Sequence, residues 1–202
     1  MQNIHKTRFL AANYSNLQGL KAVPLGLLLL AVVLWANGLR ERAEDLSLPI
    51  LFSVSAAALI AWANRFYRAH YGRVESTPRQ RKTEWAIGVA GGIIGLTAFF
   101  LDTLVRLPIS MVGLVFAAAV VTDYLRMQWY APGRYLFPLA LVSFLILLTA
   151  SILPILGGGA WWRWLDLRGQ LYGVLFVAGV VITLNGLIGH FYLAHQLPAP
   201  EQ

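Results

Sequence analysis

The sequence predicts an all-α integral membrane protein, a compact bundle of six transmembrane helices with both termini on the cytoplasmic side. Its composition, the length of its apolar runs and the placement of its basic residues carry that expectation. Of 202 residues, 58% are hydrophobic and 12% charged, and the mean hydropathy is +0.63, whereas soluble domains carry roughly 25% charged residues. The connectors between apolar runs are short, which leaves no room for a separate soluble domain. With zero Cys, disulfides, thiolate zinc sites, iron–sulfur ligation and cysteine nucleophiles are all ruled out.

Residues 1–21 form the expected cytoplasmic N-terminal segment. In HKTRFLAANYSNLQGLK, residues Leu10, Tyr14, Leu17 and Lys21 recur at helical spacing, the pattern of a short amphipathic helix lying on the membrane surface. About twenty residues precede the first apolar run and no A-x-A site follows LGLLLLAVVLWANG, so it reads as a retained span and not a secretory signal. The transmembrane domain, 22–193, is expected to contain spans at 22–39, 49–67, 85–104, 108–126, 135–156 and 171–193, with a cytoplasmic tail at 194–202. Runs near ~20 residues cross a ~30 Å hydrocarbon core. Without period-two alternation they can satisfy their backbone there only as helices. Pro24, Pro49, Pro108 and Pro138 sit near span starts, where a missing N–H costs little. Pro154 and Gly157-Gly158-Gly159 end the fifth span.

Charge decides orientation. On one side of these spans lie Lys6, Arg8, Lys21, Arg65, Arg68, Arg73, Arg79, Arg81, Lys82, Arg126 and Arg134, and on the other Arg40, Arg42, Arg106, Arg163 and Arg168. Short cytoplasmic loops are enriched in Lys and Arg, so the richer side is expected inside; the expected location is the cell (inner, cytoplasmic) membrane. The segment FYRAHYGRVESTPRQRK, 66–82, becomes the principal cytoplasmic loop. The net charge of +7 is the excess of 16 basic over 9 acidic residues, and direct nucleic-acid binding is not expected. Trp62, Trp85 and Trp129 fall towards the inner ends of their helices, while Trp35, Trp161, Trp162 and Trp164 fall towards the outer face, as interfacial aromatics should. The outer connector GGGAWWRWLDLRG suits a surface anchor or, in a solute-binding protein, a lid.

The third span contains WAIGVAGGIIG, in which Gly88 and Gly92, and Gly91 and Gly95, stand four apart. Such spacing lets another backbone approach closely, so this face is expected to pack on a helix of the same chain or of a second copy. Pro24-Leu25-Gly26-Leu27 and Phe66-Tyr67-Arg68-Ala69-His70 are echoed in order by Pro138-Leu139-Ala140-Leu141 and Phe191-Tyr192-Leu193-Ala194-His195, which would make the first and third hairpins parallel repeats.

Ionisable groups within the spans are few. A charge in hydrocarbon costs at least ~2.5 kcal/mol and is retained for a reason. Asp102 and Asp123 qualify, with Arg106 four residues and Arg126 three residues further on, and both are expected as helix-end ion pairs. Thr183, Asn64 and Asn185 lie deeper and suit interhelical hydrogen bonds. Tyr67, His70, Tyr71, Tyr130, His190, Tyr192 and His195 gather at the inner ends of the even-numbered helices, where they would form either a polar vestibule or an interfacial belt. No histidine pair lies mid-span to hold a haem, and no metal or other cofactor is expected. Serine hydrolase, zincin and nucleotide-binding motifs are missing from the sequence.

Three functions compete. The favoured one is a non-enzymatic accessory, regulatory or sensor-type subunit. It would dock a protein partner or anionic lipid through Arg68, Arg73, Arg79, Arg81 and Lys82, since juxtamembrane basic residues are attracted to anionic surfaces by ~1 kcal/mol each. The second is a small-solute transporter or substrate-binding component with an outward pocket; in span number and size alone, it is similar to the substrate-binding subunits of energy-coupling-factor transporters. The third is a membrane enzyme or haem protein using the inner histidines. A second copy packed on the third span is a further expected partner.

Overall fold

The structure, a computed structural model, describes residues 9–10, 13–38, 47–71, 78–105, 107–130, 136–155 and 169–196. Every regular element among the described residues is helical, and none is a strand. A four-residue helix α1 (Tyr14–Leu17) and a 3₁₀ turn (Gly19–Lys21) are followed by α2 (Val23–Gly38), α3 (Ser47–Tyr71), α4 (Pro78–Leu104), α5 (Met111–Tyr130), α6 (Phe137–Ile152) and α7 (Gln170–Gln196).

Among the described residues, five stretches are long and apolar enough to cross a membrane: Gly19–Asn37, Ser47–Tyr71, Arg81–Leu104, Met111–Trp129 and Gln170–Gln196. The expected span at 135–156 is the one that falls short. Its helix α6 has 16 residues, about 24 Å at ~1.5 Å per residue, against a core of ~30 Å. It ends in a tight turn in which Leu153 N–H donates to Thr149 O at 2.9 Å and Ile155 N–H to Ile152 O at 3.0 Å. Pro154, between them, has no N–H with which to continue the helix.

Elsewhere the helices outrun their apolar cores. α3 continues to Tyr71, with Arg68 and His70 in its last turn where cations favour the helix dipole, and α4 starts at Pro78, a residue suited to a first turn. α5 starts at Met111 and not at Pro108, because Ser110 caps it. Ser110 Oγ accepts from Gly113 N–H at 3.2 Å, satisfying one of the unpaired donors of the first turn.

The chain divides into two compact units: Met1–Val74 with Leu125–Leu136 and Ala178–Gln202, and Glu75–Tyr124 with Phe137–Val177. In the first, α2 and the second half of α7 run antiparallel along a glycine seam. A Cβ on Gly26 would meet Thr183 Oγ1 and, at 2.7 Å, Gly179 O; one on Gly186 would lie 2.7 Å from Gly19 O and 2.9 Å from Val23 Cγ2. These backbones touch because no side chain separates them. Thr183, expected to bond between helices, instead donates to Gly179 O of its own helix at 2.8 Å.

Phe9, Leu10, Tyr14 and Leu17 are buried with Tyr67 and Leu193. The apolar face of the N-terminal segment, expected on the membrane surface, is thus covered by protein. Fully buried Asn13 holds it there, its amide nitrogen donating to Met127 O at 3.3 Å and Phe9 O at 3.2 Å.

In the second unit, Ser110 N–H donates to Ser151 O at 2.9 Å and Ser151 Oγ to Leu147 O at 2.6 Å. Gly113 fits between Ser151 and Val174, whose Cγ1 would lie 2.8 Å from an added Cβ. α4 behaves differently. Among the described residues, only 6% of its most apolar stretch is buried, against 33% for that of α7, and added Cβ atoms at Gly88, Gly91, Gly92 and Gly95 would meet nothing within 4 Å.

Candidate functional site

Of the histidine and tyrosine residues predicted to gather, Tyr67, Tyr71 and His190 meet, around a buried Tyr67. Tyr67, in the last turns of α3, is 1% exposed. Its Oη accepts from Leu20 N–H at 3.1 Å and lies 3.0 Å from His190 Nδ1 on α7. In the Tyr67–His190 pair the imidazole tautomer decides which partner donates.

Tyr14 Oη donates to Tyr67 O at 3.3 Å. Burial pushes the Tyr14 phenol above its ordinary value of 10.0, since the charged form is penalised out of water. Phe66 stacks on His70 with centroids 4.3 Å apart and meets His190 edge-on at 6.0 Å.

His70 accordingly lies outside this network, exposed, with Nδ1 3.0 Å from Phe66 O. Tyr71 tilts against Tyr67 at 6.0 Å. Tyr192 packs at the cluster's edge, and His195 is exposed. Tyr130 closes α5, with its side chain outside the described residues. Tyr67 is thus buried between the N-terminal segment and α7, while His190, Phe66 and Tyr71 around it remain partly exposed. Its further partners, Tyr14 Oη and the Leu20 N–H, come from the N-terminal segment, which sequence spacing does not place beside Tyr67. Within the echoed strings, Tyr67 is buried and bonded while its counterpart Tyr192 is only partly covered.

Of the basic residues, Arg68, Arg81 and Lys82 are exposed. Arg79 lies in the first turn of α4 with its side chain outside the described residues, as is all of Arg73. Trp62, Trp85 and Trp129 are exposed by 57%, 72% and 88%, more than any buried core role allows and as suits headgroup-level rings. Trp161, Trp162 and Trp164 lie outside the described residues.

Asp102 has a role that sequence spacing does not reveal. Its Oδ1 accepts from Met111 N–H at 2.7 Å, and its Oδ2 accepts from Ser110 Oγ at 2.6 Å and Val112 N–H at 3.0 Å. The carboxylate from the end of α4 therefore caps the N-terminus of α5, where negative charge complements the dipole. Arg106, its expected partner, lies outside the described residues. Ser110, directly before the helix, was the legible cue to this cap. Asp123 and Arg126 stand half-buried three residues apart on α5.

Nearby, the second unit contains a cavity of about 380 Å³ lined by Asp102, Thr103, Ile109, Gln170, Leu171 and Tyr172, among others. Among the described residues no group of three or more His, Cys, Asp or Glu is placed to hold a metal ion. In comparisons with known proteins, no protein family, curated protein or solved structure matches the chain.

Proposed function

We propose that this chain is a non-enzymatic, six-span protein of the cytoplasmic membrane with both termini inside. In this reading it serves as an accessory or regulatory subunit whose basic cytoplasmic segment docks an acidic protein partner or anionic lipid. The observation that carries the reading is the exposure of Arg68, Arg81 and Lys82 on helix turns flanking the 72–77 link, free to meet an anionic surface. The antiparallel α2–α7 seam supports a shared side for the termini, since Gly19 lies beside Gly186 and His190. The sixth crossing falls to α6, whose 16 residues span a locally thinned bilayer or are extended by their flanks.

The test is affinity purification from native membranes in mild detergent, comparing wild type with an Arg79→Ala, Arg81→Ala, Lys82→Ala variant of verified insertion. A stoichiometric protein, or a retained anionic phospholipid, present with wild type and lost from the variant is the expected result. Wild type and variant both emerging alone would reduce the segment to a topology signal.

A further inference from the structure

We propose that the cavity in the second unit binds a small solute carrying a hydrogen-bond donor beside a carbonyl acceptor on an apolar body, the chemistry of an amino-acid amide. At about 380 Å³, the cavity falls within the ~300–1,000 Å³ range of small-molecule sites.

Its polar wall is asymmetric. Asp102 supplies a carboxylate whose position is fixed by three donors, Ser110 Oγ, Met111 N–H and Val112 N–H. A carboxylate offers about four lone-pair positions, so one remains for a ligand N–H. Gln170, at the start of α7, lines the same cavity, and its amide nitrogen is buried with no hydrogen-bond partner among the described residues. Buried donors without partners are rare in native proteins and call for an explanation, which a ligand carbonyl would supply after a small rotation of the amide. Ile109, Leu171 and the Tyr172 ring complete an apolar wall for the remainder. A fixed carboxylate excludes anionic solutes and selects amines and amides.

This inference does not depend on the basic segment, and its test is separate. The full chain in phosphatidylcholine nanodiscs is dialysed against radiolabelled L-phenylalaninamide, using wild type, Gln170→Leu and the cavity-filling Leu171→Trp. The expected result is saturable binding by wild type, weakened at least tenfold in each variant. Gln170→Leu should keep or raise its melting temperature, because replacing an unpaired buried donor with an apolar group removes a penalty. Binding that rises linearly without saturation in wild type, or that is undiminished in both variants, would overturn the proposal.

Discussion

Across the α2–α7 seam, Gly19 and Gly26 meet Gly186 and Gly179 at backbone contact, whereas Gly88, Gly91, Gly92 and Gly95 of α4 face no described neighbour. The G-x-x-x-G signature is on α4. The seam has glycines seven residues apart on each side; on α7 that is about two helical turns, which returns Gly179 and Gly186 to nearly the same face. The difference teaches that glycine spacing reports a capacity for close approach, while the presence of a partner is a property of the tertiary fold. In the first unit the glycines lie against another backbone; in the second, those of α4 have no described neighbour.

Substitution separates the two glycine sets most strongly. Gly186→Val would drive a branched side chain into Gly19 O and Val23, which lie 2.7 and 2.9 Å from the added Cβ. Destabilisation of about 3 kcal/mol or more is expected, at or beyond the upper end of overpacking costs. Gly92→Val meets no described neighbour, and its expected effect on the monomer is below about 1 kcal/mol. Thermal unfolding in detergent measures both, and equal losses would erase the distinction. Loss of a dimer, but not of the monomer's fold, in Gly92→Val would sharpen it by identifying the second copy.

Asp102→Ala probes the second unit's own closure. It strips acceptors from Met111 N–H, Val112 N–H and Ser110 Oγ, with an expected cost of roughly 2 kcal/mol. Asp102→Asn, which keeps one acceptor oxygen, should lose less. If alanine at this position were neutral, the cap would not hold the α4–α5 junction.

A smaller effect concerns the first unit's N-terminal segment. The Tyr14 phenol is raised above its unfolded value of 10.0 by burial. Its stabilisation is therefore complete below pH 10 and is lost as pH rises through the folded value. Wild type should release the segment at alkaline pH, read as protease access to residues 9–17, while Tyr14→Phe should not. Identical alkaline profiles would assign the release to another group.

Much of the helical architecture was legible because lipid imposes length and apolarity on any spanning segment. Helix ends were less so. Hydropathy marks where lipid ends, and α3, α4 and α7 continue past that point to Tyr71, from Pro78 and to Gln196. α6 was overestimated because the turn at Pro154 is as apolar as the helix before it. The Tyr67–His190 bond joins residues 123 apart in sequence, and the Asp102 cap depends on a reversal of chain direction. Local periodicity carries no trace of either. Ser110 was readable, since a hydroxyl residue immediately before an apolar helix is the ordinary N-cap signal.

The proposed function requires above all that the basic segment lie in the cytoplasm, and a chain with zero Cys allows a direct test. A single cysteine is introduced at Ser76 of the segment, or at Gly158 of the outer connector, and probed in intact cells with a membrane-impermeant maleimide. Ser76→Cys should remain unlabelled until cells are opened or membranes inverted, while Gly158→Cys should react at once. Labelling of Ser76→Cys in intact cells, with Gly158→Cys protected, would contradict the orientation and with it a cytoplasmic docking surface.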